Sequence, residues 1–253
     1  MNSFNFKKWN TILGWSTFMV ALITYSLTVE PTMSFWDCGE YIATSANLEV
    51  GHPPGAPLFQ MLGAFFAMFA FSPDKIALMV NYLSVFSSAF TVLFMFWSLT
   101  ILLKKLIIGE KELSTNNAIM ILGSAAVASL SFTFTDSFWY NAVEAEVYAM
   151  ATFLIALLFW LGLRWEQEIN TPRGNKWLLI ISLVIGLSTF GVLQALQRDL
   201  AIARGVNDLD TVADGKAVLD VDFRHAACRV PTDDVADVEA AAGLGMAAQV
   251  VLH

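Results

Sequence analysis

The residues of this sequence that could do chemistry gather in one stretch, residues 35–57, which reads FWDCGEYIATSANLEVGHPPGAP. It carries Asp37, Glu40, Glu49 and His52 between two long apolar runs. If the start of the stretch is helical, Asp37 and Glu40 are three positions apart and lie on one face. Neighbouring aromatic residues would partly remove the pair from water, so that it could share a proton, bind a divalent cation or act as a base with a supporting partner. The alternative interpretation is an acidic pair in a solvated loop.

The second feature is the turn GHPPGAP, residues 51–57. Two adjacent prolines restrict the backbone and disfavour helix before them, while glycines permit tight bends. We therefore expect the turn to set the direction of the apolar segment that follows. His52 would project from it at the level of the lipid headgroups, where it could donate a hydrogen bond to a phosphate. A histidine that caps the turn or faces water is the other interpretation.

A third polar segment, residues 135–150, reads TDSFWYNAVEAEVYAM. We expect it to lie near the same membrane surface as Asp37. Its aromatic residues are typical of a membrane interface, although they could also stack on a sugar. Helical periodicity predicts that Glu144 shares a face with Tyr148, while Glu146 points elsewhere. The residues of this segment that could contact a substrate are Asp136, Trp139, Asn141, Glu144 and Glu146.

The composition shows which kind of element must position these residues. Of 253 residues, 57% are hydrophobic and 14% are charged, and the apolar residues form long blocks. This pattern predicts an all-α integral membrane protein. Its two cysteines have no paired spacing, so the sequence predicts neither a disulfide framework nor a zinc site. The net charge of −8 is a sum over two unlike parts of the chain. We expect the lipid bilayer and no nucleic acid as a partner.

About five transmembrane helices are predicted, because each apolar run approaches the ~20 residues that a crossing requires. Lys104 and Lys105 end the second run, and basic residues mark the cytoplasmic side, so the N-terminus is expected inside and the acid-rich loops outside an inner (cytoplasmic) membrane. Residues 57–71 are too short to cross and are predicted to form an interfacial or re-entrant helix. The predicted spans are residues 11–29, 76–103, 118–134, 148–163 and 177–196.

The chain changes character near its last predicted span. Up to Phe190 it holds 32 of its 33 aromatic residues, and the remainder is rich in Ala, Asp and Val. We therefore divide the chain into a transmembrane region, residues 1–196, and an acidic tail, residues 197–253. The tail could be a small soluble domain, a disordered segment, or foreign sequence from a frameshift or a chimeric gene.

Two long motifs carry a family resemblance: EPTMSFWDCGEYIATSANLEVGHPPGAPLFQMLG and FWYNAVEAEVYA. They resemble the bacterial family called domain of unknown function 2723, which is related to an animal protein O-mannosyltransferase. More broadly, an acidic pair in the first outer loop, a His-Pro-Pro turn and a short interfacial helix resemble the glycosyltransferase C superfamily. The resemblance covers residues 1 to about 189, and the sequence after that departs from the family.

The resemblance implies transfer of a sugar from a polyprenyl-phosphate carrier to a hydroxyl acceptor, a protein or a glycan, on the outer face of the membrane. Asp37 matches the acid that acts as general base on the acceptor, and Glu40 is its supporting carboxylate. The phosphate leaving group needs positive charge, dipoles or a cation, and His52 is a candidate contributor. The resemblance makes no cofactor certain, and a divalent cation is compatible with this scheme.

The departure after residue 189 bears on activity. The resemblance implies further spans, and basic residues in later loops that grip the carrier phosphate, and neither has a counterpart here. The chain is thus expected to be an N-terminal fragment, which leaves open whether it transfers a sugar by itself. The alternative function is a non-catalytic membrane subunit, or a transporter, that binds a lipid-linked or anionic solute. A transporter should carry charges near the middle of its spans, and these spans contain none.

Overall fold

The computed structural model describes residues 5–35, 37–52, 55–109 and 112–189. Within these ranges the secondary structure is helical, with no strand, so the protein is an all-α membrane protein as predicted. The acidic tail, the end of the predicted fifth span, Trp36 and the two prolines of the turn lie outside the described residues. The helices are α1 (Phe6–Thr28), α2 (Cys38–Asn47), α3 (Pro57–Ala67), α4 (Ile76–Ile108), α5 (Thr115–Thr133), α6 (Asp136–Ala142), α7 (Val147–Glu168) and α8 (Gly174–Thr189).

Within the described ranges, four helices are long and apolar enough to cross a membrane: α1, α4 with the short 3₁₀ turn before it, α5 and α7. They coincide with the first four predicted spans, because a run of about 20 apolar residues is legible in the sequence. The described part of α8 is a shorter apolar helix. A multi-pass arrangement is therefore confirmed, and a fifth crossing stays a prediction.

Helix α4 is the central element, since it packs against α1, α5 and α7. At 33 residues it is longer than a crossing needs. Its side toward α1 is made of small and branched residues, including Val85, Ala89 and Val92, which pack against Phe18 and Ala21. Association of helices in lipid depends on such close side-chain packing. The central helix is thus a rigid base for the loops at its ends.

The short helix α3 was predicted within residues 57–71, and it forms over Pro57–Ala67. Proline at the first helical position is favourable because that N–H has no partner inside a helix. Eleven residues rise only about 16 Å, too little to cross a bilayer. Gly63 lets α3 approach α2 closely, because a Cβ added there would lie 2.4 Å from Ser45 Oγ. The close packing of α2 on α3 holds the two sides of the acid-rich stretch together.

One local prediction was wrong. Glu144 and Tyr148 do not share a helical face, because α6 ends at Ala142 and α7 begins only at Val147. Glu144 lies in the connection between the two helices, where its carbonyl accepts a hydrogen bond from the N–H of Glu146 at 2.9 Å. The sequence there suits a helix, but the helix is interrupted at this connection and both glutamates are buried.

Candidate functional site

Glu40 and His52 form a pair that closes the loop between α2 and α3. The backbone N–H of His52 donates to Glu40 Oε1 at 2.6 Å, and its ring Nδ1 lies 2.7 Å from Glu40 Oε2. The backbone N–H of His52 lowers the pKa of the Glu40 carboxyl, and the imidazole adds to this effect while burial opposes it. An ionised carboxylate can only accept, so Nδ1 is the donor. Glu40 therefore fixes the tautomer and orientation of the ring.

Asp37 lies beside this pair. It is the N-cap residue of α2, and its carbonyl accepts the N–H of Tyr41 at 2.9 Å. One donor atom each from Asp37, Glu40 and His52 lies within 4.8 Å of the others, and all three residues are partly exposed. Carboxylate oxygens and imidazole nitrogen are ligands for divalent metals, so these residues could hold a cation. The structure thus brings the predicted pair together and adds the histidine to it.

Close packing around Gly51 shapes the loop that carries His52. A Cβ added at Gly51 would lie 2.7 Å from Gln60 Nε2 and 3.1 Å from Glu40 Oε1. Gln60 is buried on α3, and its amide donates to Thr44 Oγ1 on α2 at 3.1 Å. A Cβ at position 51 would therefore require the side chains of Gln60 and Glu40 to shift. Sequence reasoning did not identify Gln60, although a glutamine in an otherwise apolar helix is a signal.

A second acidic region lies at the α6–α7 connection. The carboxylate of Glu144 accepts a hydrogen bond from Ser34 Oγ, and the backbone N–H of Glu30 donates to the Val143 carbonyl at 3.0 Å. Burial raises the pKa of the Glu144 carboxyl, and the charge of Glu30 adds to this, while the hydrogen bond from Ser34 opposes it. The charge of Glu144 in turn raises the pKa of Tyr140. These bonds join residues 135–150 to the segment that leads to Asp37.

Other predicted site residues have different surroundings. Trp139 packs against Tyr25, and its ring N–H donates to Thr28 Oγ1 at 3.0 Å, so it fastens α6 to the end of α1. Asn141 donates to the Ser137 carbonyl within its own helix. Asp136, at the start of α6, and Glu49 are exposed. The structure joins Asp37, Glu40 and His52 in one group and places Glu144 beside Ser34.

Comparison with known proteins gives consistent matches. Residues 37–196 match the family described as Protein O-mannosyl-transferase TMEM260 N-terminal domain. Protein O-mannosyl-transferase tmem260 of Dictyostelium discoideum is 31% identical over 161 residues, which cover 63% of this chain and 18% of that protein. Protein O-mannosyl-transferase TMEM260 of Mus musculus is 26% identical over 174 residues, 68% of this chain and 22% of that protein. The matches thus span about a fifth of either relative, and no solved structure matches significantly.

Proposed function

The chain belongs to the family of Protein O-mannosyl-transferase TMEM260 N-terminal domains, and from that premise we propose that it is part of a membrane glycosyltransferase that acts on protein. The donor is a sugar on a polyprenyl-phosphate carrier, and the acceptor is a hydroxyl group on the outer side of the membrane. The observation that carries this proposal is the group formed by Asp37, Glu40 and His52, which lies inside the matched region.

In this mechanism Asp37 is the general base. A serine or threonine hydroxyl is a poor nucleophile until a carboxylate takes its proton. As Asp37 accepts that proton, the acceptor oxygen bonds to the anomeric carbon of the sugar. The bond from this carbon to the phosphate oxygen breaks, and its electron pair leaves with the polyprenyl phosphate. Asp37 is suited to this role because it is only partly buried and lies at the start of a short helix.

Glu40 and His52 serve the phosphate side of the reaction. Glu40 holds the ring through Nδ1, and Nε2 faces away from that bond, so that the imidazolium form of His52 would donate its Nε2–H to the carrier phosphate. Such a donor stabilises the charge that develops on the leaving group. A divalent cation at the same residues would supply that charge stabilisation when bound. Glu144 and Glu146, at the second region, are proposed to bind hydroxyl groups of the substrate.

The proposed orientation follows the sequence prediction. We place the N-terminus in the cytoplasm and both acidic regions outside, since Lys104 and Lys105 lie near the C-terminal end of α4. By analogy with the bacterial family, the membrane would be an inner membrane. A lipid-borne sugar and a hydrophilic acceptor would then meet at the outer end of the helices.

The test is Asp37→Asn, which keeps the shape of the side chain but cannot accept the hydroxyl proton. Sugar transfer should fall by roughly 10²-fold or more. Transfer from labelled polyprenyl-phosphate sugar is measured in nanodiscs, with this chain and with a full-length family member that carries FWDCGEY. Glu40→Gln should have a milder effect if Glu40 only orients His52.

Asp74→Asn is the matched control, because it removes the same charge from an exposed residue in the turn before α4. It should leave transfer unchanged. Donor binding should persist in Asp37→Asn, because the change removes a negative charge near a phosphate. Full transfer by Asp37→Asn would refute the catalytic role. Carrier-lipid binding without transfer in the wild-type proteins would instead favour a non-catalytic subunit.

A further inference from the structure

Asn81 is a polar residue inside the membrane-spanning helix α4, and its side chain is fully buried. A buried amide is costly unless its hydrogen bonds are made. Its Nδ2 donates to the carbonyl oxygen of Glu30 at 2.7 Å and to that of Thr32 at 2.9 Å. Its Oδ1 lies 3.9 Å from Cys38 Sγ, a long contact that a thiol donor can make. The whole amide is therefore occupied by one stretch of chain, residues 30–38.

The direction of these bonds makes asparagine specific at this position. Backbone carbonyls can only accept, so both must face the amide nitrogen, and the thiol must face the amide oxygen. An aspartate would turn carboxylate oxygens toward two carbonyls, and a leucine would leave both carbonyls without these donors. Among these side chains of similar size, only asparagine offers two donor hydrogens and one acceptor oxygen.

These contacts bracket the segment that carries Asp37. Glu30 and Thr32 follow the end of α1, and Cys38 is the first residue of α2, directly after Asp37. The same segment is also joined to the second acidic region, through the Glu30 N–H and through Ser34. Helix α4, the central helix, thus reaches both ends of the segment through one side chain.

We propose that Asn81 is a positioning residue that holds Asp37 in place for its reaction with the acceptor. The proposal rests on the proposed function, because it assigns Asn81 an effect that is exerted through Asp37. A base must lie within hydrogen-bond reach of the proton it removes, and a displacement of about 1 Å can cost 10²-fold in rate. A residue at the start of a short helix keeps such a position only if the segment before that helix is held as well.

The first measurement needs no enzymatic activity. In a Cys228→Ser background Cys38 is the only thiol of the chain, and Cys38 is fully buried. The full chain in nanodiscs is treated with a maleimide. We expect Asn81→Leu to raise the rate of Cys38 modification by roughly tenfold or more, because the segment is released from α4. Ser88→Ala is the matched control, since Ser88 is buried on the same helix and its hydroxyl has no hydrogen-bond partner among the described residues.

The second measurement separates positioning from general stability. Transfer is compared in Asn81→Leu, Asp37→Asn and the double variant. Asn81→Leu alone should lower kcat by roughly 10- to 100-fold, with a smaller change in the KM for the donor. If Asn81 acts through Asp37, the double variant should transfer within about twofold of Asp37→Asn alone. Asn81→Asp, which keeps the size of the side chain, serves if Asn81→Leu is not recovered as folded protein.

The outcomes are distinct. Unchanged protection of Cys38 in Asn81→Leu, or losses of transfer that multiply in the double variant, would overturn the positioning role. Rapid modification of Cys38 together with non-additive losses would support it. Absence of transfer by both the wild-type chain and the full-length family member would count against the proposed function, while the maleimide result would still decide whether Asn81 holds the segment.

Discussion

The two acidic regions of this protein shift the pKa of a glutamate in opposite directions. Glu40 is partly exposed and bonded to a backbone N–H and an imidazole, and its pKa is lowered. Glu144 is buried beside a serine hydroxyl, and its pKa is raised. The difference shows that partners and burial, rather than residue type, decide which glutamate is readily ionised. An ionised Glu40 suits the orientation of a histidine, and a Glu144 that holds its proton more firmly suits a hydrogen bond to a sugar hydroxyl.

The largest expected effect concerns whether the two regions share a side of the membrane. Residues 74 and 112 lie at opposite ends of α4, and residue 136 begins α6. A single cysteine placed by Asp74→Cys or Asp136→Cys should react with an impermeant maleimide from outside, and one placed by Glu112→Cys should react only after permeabilisation. Labelling of position 74 from the cytoplasmic side alone would reverse the orientation, and opposite results at 74 and 136 would separate the regions.

The next prediction concerns a substitution that should disturb only the acidic region formed by α2, α3 and the loop between them. Gly63→Ala places a methyl group 2.4 Å from Ser45 Oγ and 2.8 Å from Ser45 Cβ, so α2 and α3 must move apart. We expect a loss of about 1–3 kcal/mol in unfolding free energy, the usual cost of overpacking. Thermal unfolding in detergent measures it. Gly123→Ala, on α5 with open space around it, should be neutral or slightly stabilising. Equal stability of the two variants would show that α2 and α3 are not closely packed.

The smallest effect is the sharpest test of the comparison, since the two glutamates should respond to pH with opposite signs. A lowered folded-state pKa gives Glu40 a stabilising contribution above its ordinary value of 4.5, and this is lost as pH falls through the folded pKa. A raised folded-state pKa means that Glu144 lowers the free energy of unfolding as pH rises from 4.5 through its folded value. At neutral pH, Glu40→Gln should therefore cost no more than about 1 kcal/mol, because water screens this partly exposed pair, while Glu144→Gln should stabilise the fold by a similar or smaller amount.

Unfolding midpoints of these two variants between pH 4 and 8 check this prediction. Both differences from the wild type should shrink toward low pH, where the carboxyl groups are protonated. Glu166→Gln is a useful control, because Glu166 is an exposed glutamate at the far end of α7, paired with Lys105. Surface pairs of this kind contribute little. Stability changes of the same sign in Glu40→Gln and Glu144→Gln would remove the contrast between the regions.

The sequence by itself determined the class of protein and the elements that are long and apolar enough to cross a membrane. A bilayer requires about 20 apolar residues in a helix whose backbone bonds are internal, and such runs are visible without any tertiary information. The closeness of Asp37 and Glu40 was also predictable, because neighbours three positions apart share a helical face. The short helix after the Gly-Pro turn follows from local chemistry as well.

Only the tertiary structure decided which residues meet across the chain. Glu40 pairs with His52, Ser34 with Glu144, and Asn81 with the segment before α2. These contacts depend on how the helices pack, and a local sequence pattern does not specify which distant residue becomes the partner. The interruption before Val147 is of the same kind, since the residues there favour a helix and yet form a connection at which two glutamates are buried. Local periodicity specifies a helix and its face, whereas packing specifies the surroundings that set a pKa or hold a base in place.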